Sequence, residues 1–162
     1  MLDLKRCRPL AILVMITATR GSAAAQAATQ TVTFQVDAIN QIAFTGNPSL
    51  VVNTALAGSD PSSVSTAVTW AVTTNQSNAK ITASLNAALP ANVSLTVSLS
   101  GPTGATSAGP QPLGTTSVDL VTGITRVAES ALGATYTLSA TAAAGVVAST
   151  TRTVTYTITG GT

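Results

Sequence analysis

Residues 93–99 read Val-Ser-Leu-Thr-Val-Ser-Leu, and their strict alternation decides the fold class. In an extended chain successive side chains point to opposite faces. Val93, Leu95, Val97 and Leu99 therefore share one face, and Ser94, Thr96 and Ser98 share the other. A helix would scatter the same residues around its surface. The pattern recurs in both directions along the chain. Val32, Phe34 and Val36 alternate with Thr31, Thr33 and Gln35; Val68, Trp70 and Val72 with Thr69, Ala71 and Thr73; Ile81, Ala83 and Leu85 with Thr82 and Ser84. Tyr136, Leu138 and Ala140 alternate with Thr137 and Ser139, and Val154, Tyr156 and Ile158 with Thr153, Thr155, Thr157 and Thr159. Each segment predicts a strand with one buried face and one hydroxyl-bearing, wet face. Weaker strand signals lie at 39–44, 50–53 and 117–121.

The segments between them carry turn chemistry. Asn75-Gln76-Ser77-Asn78 and Leu89-Pro90-Ala91-Asn92 read as hairpin loops. Residues 100–112 (SGPTGATSAGPQP) are too rich in glycine and proline for a central strand and predict a crossover between sheets or an exposed loop. Residues 125–132 (TRVAESAL) predict one or two helical turns, with Arg126 and Glu129 as neighbours on one face. Seven to nine short alternating strands predict an all-β, antiparallel β-sandwich with immunoglobulin-like Greek-key connections. A small closed barrel is the second choice. No fixed-period repeat supports a solenoid. Trp70, between two valines, is expected to be the central core aromatic, the alternative being an exposed ligand-stacking ring.

The first 27 residues read as a secretory signal peptide. Lys5, Arg6 and Arg8 precede the apolar run 10–19 (LAILVMITAT), and small residues follow it. That run is shorter than the roughly 20 residues a membrane span needs, so no span is expected after cleavage. Cleavage fits after Ala25 or after Ala27, with the second preferred. The expected mature domain is 28–162, placed in a secreted or cell-surface setting with the periplasm as an alternative. Its three basic residues (Lys80, Arg126, Arg152) face four acidic ones (Asp37, Asp60, Asp119, Glu129), a net charge of −1, although the whole chain carries +2. Cys7, the sole cysteine, leaves with the signal, so core packing and strand pairing must hold the domain. Val, Ile, Leu, Phe and Trp supply 33 residues of 28–162, enough for one core in a chain of this size.

Composition excludes much chemistry. Charged residues are 7% of the chain, against about 25% in an average protein. No basic face for nucleic acid can be built from them. With no histidine, the usual base of a nucleophilic triad is missing, and the mature segment offers no His/Cys zinc ligands. A carboxylate pair would have to come from Asp37, Asp60, Asp119 and Glu129, whose placement reads instead as turn-forming and solubilising. No acidic loop has calcium-binding spacing. Asn75-Gln76-Ser77 and Asn92-Val93-Ser94 match the N-glycosylation triplet, a pattern common by chance. The expectation is no catalytic residues, no metal and no cofactor.

What remains is surface. Thr and Ser supply 42 residues of 28–162, and Thr153, Thr155, Thr157 and Thr159 form the best hydroxyl row. Such faces keep a nearly uncharged sheet wetted and favour strands through β-branching. They would also suit a polysaccharide. Edges are the sharper feature. Segments 29–36 and 150–159 are long, alternating and almost free of charge, and Lys80 is the one lysine of the mature segment. Natural edges use lysine, proline or bulges to block pairing. Either segment pairs within its own sandwich or adds to a neighbour's sheet.

The repeated Thr-x-Thr strands, residues 72–83 (VTTNQSNAKITA) and the ending 149–159 (STTRTVTYTIT) resemble small secreted bacterial β-sandwich proteins of uncharacterised function. The last strand is also similar to the Thr/Tyr-rich final strands of fimbrial and cell-wall surface domains. The paired cysteines of many chaperone-assembled pilins are absent, and no functional residue transfers. The resemblance implies an exported, non-enzymatic structural or adhesive surface module. Its expected partners are further copies or other surface proteins, met through edge strands. The alternative is a carbohydrate- or other ligand-binding sandwich.

Overall fold

In the computed structural model, residues 25–161 are described, and the chain divides into two units, 1–35 and 36–162. The signal-peptide expectation falls almost entirely outside the described residues. Within the second unit the alternating segments become nine antiparallel strands: β1 Asn40–Thr45, β2 Val64–Thr74, β3 Ala79–Leu85, β4 Val93–Leu99, β5 Thr106–Ser107, β6 Gln111–Pro112, β7 Val118–Ile124, β8 Val127–Ala140 and β9 Val154–Thr159. They form two sheets, ordered β1-β2-β8-β4-β6 and β5-β7-β3-β9. The fold is an antiparallel β-sandwich, and neither sheet closes into a barrel.

Side-chain alternation accounts for the core. Trp70 and Val72 of β2, Val97 and Leu99 of β4, and Ala134 and Tyr136 of β8 face Ile81, Ala83 and Leu85 of β3 and Leu120, Val121 and Ile124 of β7. Most of the strand hydroxyls turn outward, Thr74 of β2 being buried, and some pair across strands: Ser65 Oγ lies 2.7 Å from Thr137 Oγ1, and Thr45 Oγ1 2.6 Å from Thr69 Oγ1. Trp70 is 1% exposed, which removes the ligand-stacking alternative, and its Nε1–H donates to the Gly133 carbonyl at 3.1 Å. Burying an indole leaves its N–H in need of an acceptor.

Three local expectations are corrected. Residues 125–132 form no helix: from Val127 they belong to β8, whose pairing with β2 runs from Val127↔Thr74 to Leu138↔Val64. A long hydrogen-bonded partner outweighs a modest helical preference. Arg126 and Glu129 do not pair; Glu129 Oε1 accepts from the Thr103 N–H at 2.9 Å. Between Val72↔Glu129 and Trp70↔Leu132, β8 carries one residue more than β2. Ala131, at φ 58°, absorbs this bulge. Residues 50–53 form no strand and belong to a loop whose sole bridge joins Ala55 to Pro61. Segment 31–36 forms no strand either, which bears directly on function. The glycine- and proline-rich stretch 100–112 is a crossover between sheets, since β5 joins the smaller sheet and β6 the larger. The sole helical element among the described residues is one 3-10 turn, Ala142–Ala144, and none is long and apolar enough to cross a membrane.

Candidate functional site

The two flanks of the sandwich are finished differently. On one, the two-residue strands β5 and β6 cover parts of β7 and β4, and Pro112 of β6 has no N–H to offer a newcomer. Very short edge strands and proline are the devices that block further pairing. On the other flank the edges are β1 and β9, each six residues long, without charge, proline or bulge.

Backbone alternation fixes what the β9 edge presents. The Thr153 carbonyl accepts from Asn86 N–H at 3.0 Å, so residue 153 faces the β3 side. Backbone groups alternate along a strand. Thr155, Thr157 and Thr159 therefore pair toward β3, and Val154, Tyr156 and Ile158 turn their N–H and C=O groups outward. Their side chains point into the sandwich but are half-buried, as are Ile42 and Phe44 of β1. The sheets meet here through aromatic rings. Phe44 stacks on Tyr156 with centroids 4.0 Å apart and lies 6.1 Å from Trp70. The Tyr136 and Tyr156 hydroxyls lie 2.5 Å apart. Burial pushes both phenols above the ordinary tyrosine range, and for Tyr156 the hydrogen bond to Tyr136 and the charge on that neighbour add to the effect.

At the Val154 end the flank opens into an apolar groove of about 870 Å³. Its floor is Leu95, Leu138 and Val154, its rim the loops around Leu50 and Val147. The apolar run that failed to become a strand at 50–53 serves as groove wall.

The N-terminal segment carries a similar alternation. Among the described residues of the first unit, 25–35, none is in a strand and all are exposed. Val32 is 73% exposed and Phe34 88%, and Val36, the first residue of the second unit, is 78% exposed. A valine or phenylalanine side chain left in water forgoes about 1.5–3 kcal/mol of burial free energy. The three sit at the period-two spacing of a strand. Of the five aromatic residues, Phe34 alone stands outside the Trp70–Phe44–Tyr156–Tyr136 cluster.

The segment has a fixed root. Asn75 Oδ1 accepts from Ile39 N–H at 2.8 Å, Asn75 Nδ2 donates to the Asp37 carbonyl at 2.7 Å, and Asn75 N–H donates to the Ile39 carbonyl at 3.3 Å. The side chain of this glycosylation-type asparagine is thus occupied as a clamp. Asn92, in the second triplet, sits at φ 63° and donates to the Ala143 carbonyl. Beside the clamp, Thr74 Oγ1 donates to Asn40 Oδ1 at 2.7 Å, and Asn40 Nδ2 donates to Gln76 Oε1 at 3.0 Å. The chain end returns to the same loop, and a Cβ on Gly161 would collide with the Ser77 carbonyl oxygen. Sequence reasoning missed the clamp because its partners are 36 and 38 residues apart.

The four carboxylates are dispersed. Asp119 on β7 pairs with Lys80 on β3 at 3.0 Å in the open. Asp60 Oδ1 accepts from Ala142 N–H at 2.8 Å beside a shallow pocket of about 460 Å³, whose lining includes no other acid. Glu129 holds the Thr103 N–H, and Asp37 is at the Asn75 clamp. No three of His, Cys, Asp and Glu cluster among the described residues. The Thr153, Thr155, Thr157 and Thr159 row lies exposed on the outer face at β9. Comparison with protein-family models, with curated proteins and with solved structures finds no match to this chain.

Proposed function

We propose that this protein is an exported, non-enzymatic structural or adhesive module of the cell surface, and that it assembles by strand addition. The observation that carries the reading is the segment 31–36: alternating, uncharged, exposed and in no strand. The unguarded β1/β9 flank supports it from the receiving side. Donor and acceptor are different surfaces, so repeated addition is head-to-tail and yields chains of subunits. The immunoglobulin-like reading is supported by strand order. Its seven-strand layout places A, B, E and D in one sheet and C, F and G in the other. Here β1-β2-β8-β4 follows the first order and β3-β9 matches the C–F pair.

The carbohydrate-binding alternative draws little support. Such sites stack sugars on exposed rings, and apart from Phe34 the aromatics are internal or half-buried. The dispersed carboxylates support the non-enzymatic reading.

The test compares the exported protein with its Val32→Asp/Phe34→Asp variant by light scattering, electron microscopy and fractionation of the producing cell. The reading expects the parent in oligomers and in the surface fraction, and the variant as a folded monomer. Parent and variant both remaining folded monomers in the soluble fraction would contradict it.

A further inference from the structure

We infer that the apolar groove at the Val154 end of the sandwich binds an aliphatic carboxylate of the fatty-acid type, its chain along the floor and its head group on Arg152. The groove lies wholly within the second unit and stands whether or not subunits join. Its floor residues Leu95, Leu138 and Val154 continue the inward faces of β4, β8 and β9, yet they are only half-buried. Further along the same faces Val97, Leu99, Ala134 and Tyr136 are buried. The sandwich is therefore filled at its centre and leaves its last core positions uncovered at this end. The rim is formed by the two longest connections between strands, 46–63 and 141–153, whose regular structure is one bridge and one 3-10 turn. Loops of this length without structure of their own commonly serve binding. Apart from residues 32–39, every exposed large hydrophobic among the described residues lies in these two loops: Val51 and Leu56 in the first, Val146 and Val147 in the second. Exposed apolar groups gathered around a groove mark a ligand site, because a bound chain takes them out of water. The volume of about 870 Å³ lies within the roughly 300–1,000 Å³ of small-molecule sites.

Charge complementarity selects the occupant. Arg152 is the one charged residue in the groove's lining, and no carboxylate lines the groove beside it. Three bonds to neutral acceptors fix its guanidinium: Nε–H donates to the Ala88 carbonyl at 3.0 Å, and Nη1 donates to Thr150 Oγ1 at 2.8 Å and to the Thr151 carbonyl at 3.0 Å. Among the described residues Nη2 has no partner. Neutral acceptors hold the group in place and leave its charge uncompensated, so the free Nη2–H groups suit one anionic head. The floor selects the rest of the ligand. It offers no exposed ring on which a sugar could stack. Leu138 is paired on both sides, with Val64 and with Leu95, so the sheet under the groove presents side chains and not backbone groups to a peptide. Along β8 the lining runs from Tyr136 to Ala140, about 13 Å, which accommodates one extended acyl chain of medium length.

Three probes with the same chain and different heads test the site. Decanoate, decanol and decylammonium, each below its micelle concentration, are titrated into the exported protein and followed by calorimetry and by NMR. The expected result is saturable binding of one decanoate per chain, at least tenfold tighter than decanol, with decylammonium the weakest. Chemical shifts should move at Leu95, Leu138 and Val147 and stay in place at Val32 and Phe34. Arg152→Gln should lower decanoate to the affinity of decanol and leave decanol unchanged, a split that a merely structural role of Arg152 would not produce. If that variant folds poorly by circular dichroism, the ranking of the three probes on the parent protein decides alone. Equal binding of the three probes by the parent, absence of saturable decanoate binding, or shifts confined to the N-terminal segment would overturn the site. Unchanged decanoate affinity in a folded Arg152→Gln variant would overturn the head-group assignment.

Discussion

Segments 31–36 and 154–159 carry nearly the same chemistry and have different fates. Thr-Val-Thr-Phe-Gln-Val and Val-Thr-Tyr-Thr-Ile-Thr both alternate an apolar residue with a polar one, and neither bears a charge. The second pairs with β3 over its whole length and turns its ring onto Phe44. The first is in no strand and is exposed, Phe34 by 88%. Alternation therefore specifies that a segment can be a strand; it does not specify which sheet receives it. Register and partner come from tertiary neighbours. In 154–159 the neighbour is in the same chain, and in the proposed assembly the neighbour of 31–36 is in the next one.

The largest expected effect separates the two aromatics of these segments. Tyr156→Ala removes a ring stacked on Phe44 and a hydroxyl partner of Tyr136, and should cost the monomer about 3 kcal/mol. Phe34→Ala should leave monomer stability within about 0.5 kcal/mol, as for an exposed site, while reducing assembly. Urea midpoints at unchanged m-value measure the first effect, and light scattering measures the second. Equal destabilisation by the two substitutions would erase the contrast.

A pH series sharpens it next. Both Tyr136 and Tyr156 hold their protons more tightly when folded than at the ordinary value near 10. Above that pH the unfolded chain binds fewer protons than the native one, so stability falls as pH rises. It is fully present below about pH 10. Melting temperature should drop between about pH 10 and 11.5, with phenolate absorbance appearing only on unfolding. Tyr156→Phe should flatten the dependence. Phenolate absorbance rising in the folded protein near pH 10 would contradict the burial of the pair.

Smaller effects fall at the root of the arm and on the face of the smaller sheet. Asn75→Ala should cost about 1 kcal/mol, since the freed Asp37 and Ile39 groups are exposed and water replaces their partner. It should also loosen residues 37–39 without touching β9, which amide protection reports residue by residue. Lys80→Met should change stability by less than about 1 kcal/mol, because the pair with Asp119 is about half exposed and screened.

The strands at the centre of the sandwich were legible because burial on one face imposes a strict period. The residues of 93–99 and 154–159 match β4 and β9, and the weak signals at 39–44 and 117–121 are β1 and β7, displaced by one to three residues. The failures share a cause. The helix formers of 125–132 yield to a partner strand 53 or more positions away in sequence, and the apolar run 50–53 meets no edge at all. The candidate site was partly legible: the uncharged segment 150–159 marked the β9 edge, whereas 29–36 forms no strand. The guarded state of the opposite flank, the outward groups of Val154, Tyr156 and Ile158, and the Asn75 clamp all depend on which strands become neighbours. No local pattern encodes that.

Amide hydrogen exchange of Phe34, Val154, Tyr156 and Ile158, followed by NMR as protein concentration is raised, tests the central claim most directly. In dilute solution all four amides should exchange rapidly, because none has a hydrogen-bond partner among the described residues. On concentration they should become protected together, over the same range in which light scattering detects oligomers. Protection of Phe34 that is already complete in the dilute monomer, or oligomers in which Phe34 and the β9 edge remain unprotected, would contradict it.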